Sequence, residues 1–245
     1  MSQSPHMSLI DTLAANTNEV DTEAKANKSL QTAIGKVVCV GRNYAAHAAE
    51  LGNAVPTRPL LFIKPASSII SLTDAIPSII KNVPRDKSYP VHYEAELCIR
   101  LGRDLKSASL EEVMSTTDLI TSVTLGLDLT LRDMQSELKE KGHPWERAKC
   151  FDGSCVLGEW VSAEAFADFT QVNYQLYIND ELKQDGDSAL MLFPVYELLS
   201  EISHAFSLQA GDVIMTGTPS GVGVLQAGDK LRLTLGTHEW QASVE

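Results

Sequence analysis

The chain has 245 residues, 44% hydrophobic and 21% charged, with 32 acidic against 20 basic side chains and a formal net charge of −12. This is globular composition with ample apolar material for a core, and the negative balance argues against a general nucleic-acid or anionic-membrane surface. No stretch reads as a signal peptide and no apolar run is long enough to span a bilayer, so a reduced, cytoplasmic protein is expected.

Residues 1–33 are polar and weakly periodic, which predicts a variable tail or small cap with a short helix near 8–15; the main domain is expected over 34–245. KVVCVG (36–41) reads as a buried strand, followed by a short helix over 44–51 that Gly52 ends. Apolar runs at 60–63 and 69–72 predict two strands split by Lys64 and Pro65. Residues 81–91, with two prolines and mixed charges, read as a loop. Helices are predicted over 109–117, 132–141 and 195–206, and a long strand over 121–131. Further strands are predicted at 172–178, before an Asn179–Asp180 turn, at 212–216, and around Leu231, Leu233 and Leu235. Many short strands and few helices make a β-rich α+β fold. Cys39 and Cys98 fit as small core residues on strands. Cys150 and Cys155 lack a CxxC spacing or a histidine partner, which argues against zinc.

Three carboxylates stand inside strand-like apolar runs: Glu94 and Glu96 in HYEAELCIRLG (92–102), and Asp128 in TLGLDLTLRD (124–133). Residues two apart on a strand share a face. Such acids also suit the solvent side of an edge strand, but the flanks of Asp128 look buried on both sides. Buried carboxylates need a cation, and an all-oxygen set suits Mg²⁺ or Mn²⁺, with Ca²⁺ also accommodated. His47 and Glu50 lie on one helical face, where a carboxylate orients an imidazole base; the same spacing fits a plain surface pair. Lys149, among Trp145, Ala148 and Phe151, suits a partly buried cation able to stabilise developing negative charge. Arg132 and Gln135 follow Asp128 on the next helix, and arginine is the natural clamp for a substrate carboxylate. MTGTPSGVG (215–223) is glycine-rich without being a P-loop; its backbone N–H groups and Thr218 suit a carboxylate, or a plain turn.

Six ordered segments resemble the fumarylacetoacetate hydrolase family, on its acylpyruvase-like branch: KVVCVGRNYAAHAAELG, PLLFIKPASSI, HYEAELCIRLG, LDLTLRDMQ, GHPWERAKCFDGSCVLG and LQAGDVIMTGTPSGVG. The resemblance implies a mixed β-roll core with a few peripheral helices and a homodimer acting on a small keto acid. It implies Mg²⁺ or Mn²⁺ on Glu94, Glu96 and Asp128, a water-activating His47–Glu50 pair, and an active-site Lys149. Arg132, Gln135 and Thr218 match substrate-contacting positions, with Arg42, Tyr44 and Gly217 expected beside them. Residues 1–33, the charged 81–91 segment and Arg100 depart from the family pattern. The first reaction expected is hydrolysis of a carbon–carbon bond in a 2,4-diketo acid through a pyruvate enolate. The alternative is decarboxylation or keto–enol tautomerisation of oxaloacetate at the same site. A non-catalytic metal-stabilised scaffold is a third reading, which the dyad, lysine and carboxylates together oppose. Acyl choice is expected to sit in segments read as mobile, 81–91 and around 183–192.

Overall fold

A computed structural model describes residues 34–81 and 87–245; the expected tail or cap and its helix near 8–15 lie outside these residues. Strand β1 (Lys36–Gly41) leads through α1 (Ala45–Glu50) to β2 (Leu60–Pro65), β3 (Ile69–Ser71), β4 (Ile79–Lys81), β5 (Ser88–Pro90), β6 (His92–Tyr93) and β7 (Ala95–Leu101). Helix α2 (Leu110–Ser115) then precedes β8 (Ile120–Asp128), α3 (Arg132–Glu140), α4 (Glu146–Lys149), β9 (Cys155–Leu157) and β10 (Val161–Ser162). The chain closes with β11 (Asn173–Ile178), β12 (Glu181–Asp187), α5 (Val195–Ala205), β13 (Val213–Met215), β14 (Gly223–Val224), β15 (Lys230–Leu235) and β16 (His238–Ser243).

The main sheet runs β2-β1-β13-β7-β8-β9-β3, with β10 also on β8. It is mixed: β1–β13 and β3–β9 are parallel and the other pairs antiparallel. A second sheet runs β12-β11-β15-β16 and packs through β11 and β15 onto β7 and β8. This is the expected β-rich roll with a few peripheral helices.

Side chains alternate across a strand, and the central strands are buried on both faces. Val38, Val40, Leu97, Ile99 and Ile214 join the larger core, while Val37, Cys39, Cys98, Val213 and Met215 form a thinner layer on the opposite face. Covering both faces explains why β7 and β8 read as near-continuous apolar runs. Cys39, Cys98 and Cys155 are free, buried thiols. No described helix is long and apolar enough to cross a membrane.

Several sequence expectations shift at the edges. Ser109 caps α2 in a reciprocal capping box with Glu112. Asn179 and Asp180 take φ of 53° and 65°, a two-residue hairpin turn joining β11 to β12. The strand expected over 121–131 stops at Asp128. Lys64 and Pro65 do not break a strand: β2 runs through both, and the break is the 3₁₀ turn Ala66–Ser68. Within 81–91, read as a loop, Lys81 and residues 88–90 are strand, the latter pairing with 79–81. The segment around 183–192, read as mobile, is strand up to Asp187 and a 3₁₀ turn after it.

Candidate metal and proton-transfer site

The β7–β8 register assembles the carboxylates. Glu96 faces Gly126 across the pair, and Asp128 N–H donates to the Glu94 carbonyl at 2.9 Å. Glu94 stands in the break between β6 and β7 rather than within a strand, yet its side chain joins the other two. One oxygen from each of Glu94, Glu96 and Asp128 lies within 4.8 Å of the others, and all three residues are buried. Glycine is needed at 126, where an added Cβ would stand 2.7 Å from Val156 O and 2.8 Å from Cys98 Sγ.

Three cations face these acids. Lys149 Nζ donates to Glu94 Oε2 at 2.7 Å and to Asp128 Oδ2 at 2.6 Å. Arg132 Nη2 donates to Glu94 Oε1. Lys64, completely buried, lies 2.9 Å from Asp128 Oδ1 and donates to the carbonyls of Lys149, Ser154 (3.0 Å) and Leu129 (3.4 Å). Burial favours the protonated form of Glu94, but Lys149 and Arg132 outweigh it and hold the carboxyl well below the ordinary glutamate range. Burial, then the charges of Asp128 and Glu94, push Glu96 well above that range, against the Gly217 N–H that donates to its Oε2 at 2.7 Å. Burial works against the Lys149 charge too, yet Asp128 and Glu94 hold it above the ordinary lysine value.

The residues fit a hard divalent ion. The donor set is all oxygen. Asp128 Oδ1 is buried without a directed hydrogen bond, because Lys64 approaches it at ion-pair distance but off angle.

Helix α1 has six residues and no side-chain N-cap bond, too short to hold on its own. Asn43 fixes its entry, donating to Thr216 O at 2.8 Å and Phe193 O at 3.1 Å while accepting from Phe193 N–H at 2.8 Å. His47 lines the cleft, and its Nδ1 meets Glu50 Oε2 at 3.3 Å. Glu50 Oε1 accepts from Gly221 N–H at 3.0 Å, which ties the dyad to the glycine-rich loop.

Arg132 Nη1 donates to Gln135 Oε1 at 3.1 Å, leaving the Gln135 amide N–H groups for the cleft. Thr218 reaches the cleft, but its hydroxyl already donates to Ala95 O at 2.9 Å. Arg42 lines the cleft as well. Tyr44, Glu50 and Gly217 do not. The Tyr44 hydroxyl pairs instead with that of Tyr174 at 3.1 Å, and Glu50 and Gly217 act from behind, through His47 and Glu96.

Sequence reasoning missed three residues. Lys64 shares the face of Phe62 on β2, and that alternation was the available signal. Gln184, 1% exposed, accepts from Ala95 N–H at 2.8 Å and donates to Thr218 Oγ1 at 2.8 Å and Pro219 O at 2.9 Å. It bridges the start of β7, between Glu94 and Glu96, to the glycine-rich loop. A bulge after Leu176 sets its register, which no sequence spacing reveals. Lys139 lines the cleft seven residues beyond Arg132; burial, then Arg42, Arg132 and Lys149, push its ammonium down to about 8.

Removing Lys64 should be severe. Lys64→Met leaves Asp128 Oδ1 and three carbonyls without their cation, with Lys149 still on Oδ2, and breaking a buried pair this way costs about 3–5 kcal/mol. Urea unfolding of metal-free protein reads it, and a loss under about 1 kcal/mol would contradict the role given to Lys64.

Residues 36–242 match the family model described as fumarylacetoacetate (FAA) hydrolase C-terminal. The chain belongs to the fumarylacetoacetate hydrolase family. Within it, the chain is 43% identical over 208 residues to the oxaloacetate tautomerase YcgM of Escherichia coli, covering 84% of this chain and 90% of that protein. It is 37% identical over 198 residues to a mitochondrial oxaloacetate decarboxylase of Dictyostelium discoideum, covering 80% and 87%. Its fold superposes with a TM-score of 0.76 on the fumarylpyruvate hydrolase of Pseudomonas aeruginosa in complex with Mn²⁺ and pyruvate, at 32% identity, covering 86% and 89%. Members of this family with curated activities are thus enzymes. The curated relatives favour the oxaloacetate reactions over the diketo-acid hydrolysis first expected from the sequence.

Proposed function

We propose that this chain catalyses the keto–enol tautomerisation of oxaloacetate at a divalent-metal site. The observation carrying the reading is the 43% identity to an oxaloacetate tautomerase across 84% of the chain. The buried carboxylates, His47 and Lys149 in one cleft, with Glu50 behind His47, supply the matching chemistry. The proposal includes Mg²⁺ or Mn²⁺ as the ion and a cytoplasmic homodimer.

Glu94, Glu96 and Asp128 would hold the ion, which when bound supplies Lewis-acid polarisation of a 2-oxo oxygen. Arg132 and Gln135 orient the adjacent carboxylate, with guanidinium geometry matched to it. Glu50 holds Nδ1 of His47 and leaves Nε2 as the free ring nitrogen. His47 takes a proton from carbon 3; the carbon–carbon double bond forms as the carbonyl electrons move to oxygen. Lys149 has three N–H donors, two of them engaged by Glu94 and Asp128, so one is left for the charge developing on that oxygen. His47 then returns the proton to oxygen, giving the enol. Run backwards, the same steps give the keto acid.

Diketo-acid hydrolysis is the second reading, favoured by the likeness to a fumarylpyruvate hydrolase. Oxaloacetate, acetylpyruvate and fumarylpyruvate, each with Mn²⁺, separate the readings when enol absorbance and pyruvate are followed together. Tautomerisation predicts fast relaxation of the oxaloacetate enol signal without pyruvate. Faster pyruvate release from a diketo acid would replace it with hydrolysis, and pyruvate from oxaloacetate with decarboxylation.

The raised Glu96 gives a pH dependence. Its proton favours the metal-free fold below the ordinary glutamate range, and that contribution is lost as pH rises through the raised value. Metal binding needs the ionised carboxylate, so protons compete with the ion. At a hundred-fold excess over Kd, Mn²⁺ adds about 2.7 kcal/mol, roughly 5–10 °C in Tm, at pH 8. The increment should shrink steadily towards pH 5. A scan with an increment independent of pH would contradict carboxylate ligation through Glu96.

A further inference from the structure

Counting charge around the cleft leaves two cations over. In their ionised, metal-binding forms Glu94, Glu96 and Asp128 supply three negative charges, and Lys64, Lys149 and Arg132 supply three positive ones through the contacts described above. Arg42 and Lys139 line the same cleft, and neither has an ion-pair partner among the described residues. A divalent ion on the carboxylates adds further positive charge. This surplus stands in a chain whose net charge is −12, where the bulk balance gives no reason to expect it.

The two residues are also held. Arg132, Gln135 and Lys139 fall at i, i+3 and i+7 on α3, one stripe of the helix facing the cleft. Lys139 Nζ stands 4.7 Å from the centroid of the Trp145 ring, itself part of the cleft wall. A cation seated on an aromatic face gives up part of its hydration. Arg42 has φ of 61°, a left-handed conformation uncommon outside glycine and concentrated at ligand sites. One end of the stripe, Arg132, serves the carboxylate beside the 2-oxo group. The other end, Lys139, lines the same cleft about two helical turns further along the stripe and is more exposed than Arg132.

We propose that Lys139, assisted by Arg42, binds the distal carboxylate of a dicarboxylic 2-oxo acid and selects such acids over monocarboxylates. The inference rests on the oxaloacetate reading above and sharpens it to a substrate class. A charge-assisted bond between an otherwise unpaired ammonium and a carboxylate corresponds to about 10- to 100-fold in affinity.

Malate and lactate differ by that distal carboxylate and neither undergoes tautomerisation, so calorimetry of the Mn²⁺-loaded protein isolates it. The wild-type protein should bind malate at least ~10-fold tighter than lactate. Lys139→Met should abolish the preference by weakening malate alone, and Lys139→Arg, which keeps the charge, should retain it within about three-fold. The KM for oxaloacetate should rise with Lys139→Met far more than kcat falls. No malate preference in the wild type, or equal loss of malate and lactate in Lys139→Met, would overturn the subsite. A Lys139-dependent malate preference in a protein that does not turn over oxaloacetate would sink the tautomerase reading and leave the subsite standing.

Discussion

Asp128→Asn should lower oxaloacetate tautomerisation by about a thousand-fold, equivalent to about 4 kcal/mol of transition-state stabilisation. Asp128 joins three parts of the site. It is one of the three clustered carboxylates, it accepts from Lys149, and it is the charge that lets Lys64 be buried. The amide keeps the shape of the side chain but removes its charge and turns one of its two acceptor oxygens into a donor facing a lysine ammonium, so the loss should fall on function as well as stability. Two readouts separate these. Calorimetric Mn²⁺ affinity should drop at least ~10-fold, and the folded fraction at 25 °C should stay high enough to assay. Near-wild-type turnover with metal stripped would contradict the assignment of Asp128.

His47→Gln should lower kcat for oxaloacetate by about 10²–10⁴-fold, the range for removing a positioned general base, with Mn²⁺ affinity little changed. His47 is buried and held by Glu50, itself held by the Gly221 N–H, so the base is oriented before substrate arrives. The variant also separates reactions sharing this site. Tautomerisation needs a base at carbon 3 and hydrolysis needs one for water. Decarboxylation needs neither, because carbon dioxide leaves with no proton to remove. Pyruvate formation from oxaloacetate that survives His47→Gln undiminished would point to a decarboxylase.

Much of the site was legible because it follows two short periods. Glu94 and Glu96 are two apart and converge; His47 and Glu50, and Arg132 and Gln135, are three apart on helices and touch. Asp128 was legible as a charge in an apolar run, and the β7–β8 pair brings it alongside. The remainder depends on contacts distant in sequence. Lys64 next to Pro65 resembled a strand break, but Asp128 and three carbonyls, 64 to 90 residues away in number, receive its charge. Gln184 owes its place to a bulge, which adds a residue without any composition signal. Tyr44 follows the same turn as His47 but directs its hydroxyl to Tyr174 on the second sheet, a pairing no local pattern contains. The fold class was readable from many short strands; the order of those strands, with β13 between β1 and β7, was not.

The most direct measurement is the decay of the oxaloacetate enol absorbance catalysed by chelator-stripped protein before and after Mn²⁺ is added, with pyruvate assayed in the same samples. Tautomerisation at the Glu94–Glu96–Asp128 site predicts little catalysis when stripped, at least ~100-fold recovery with Mn²⁺, and no pyruvate formed in step. Catalysis indifferent to the metal, or pyruvate rising as the enol disappears, would contradict it.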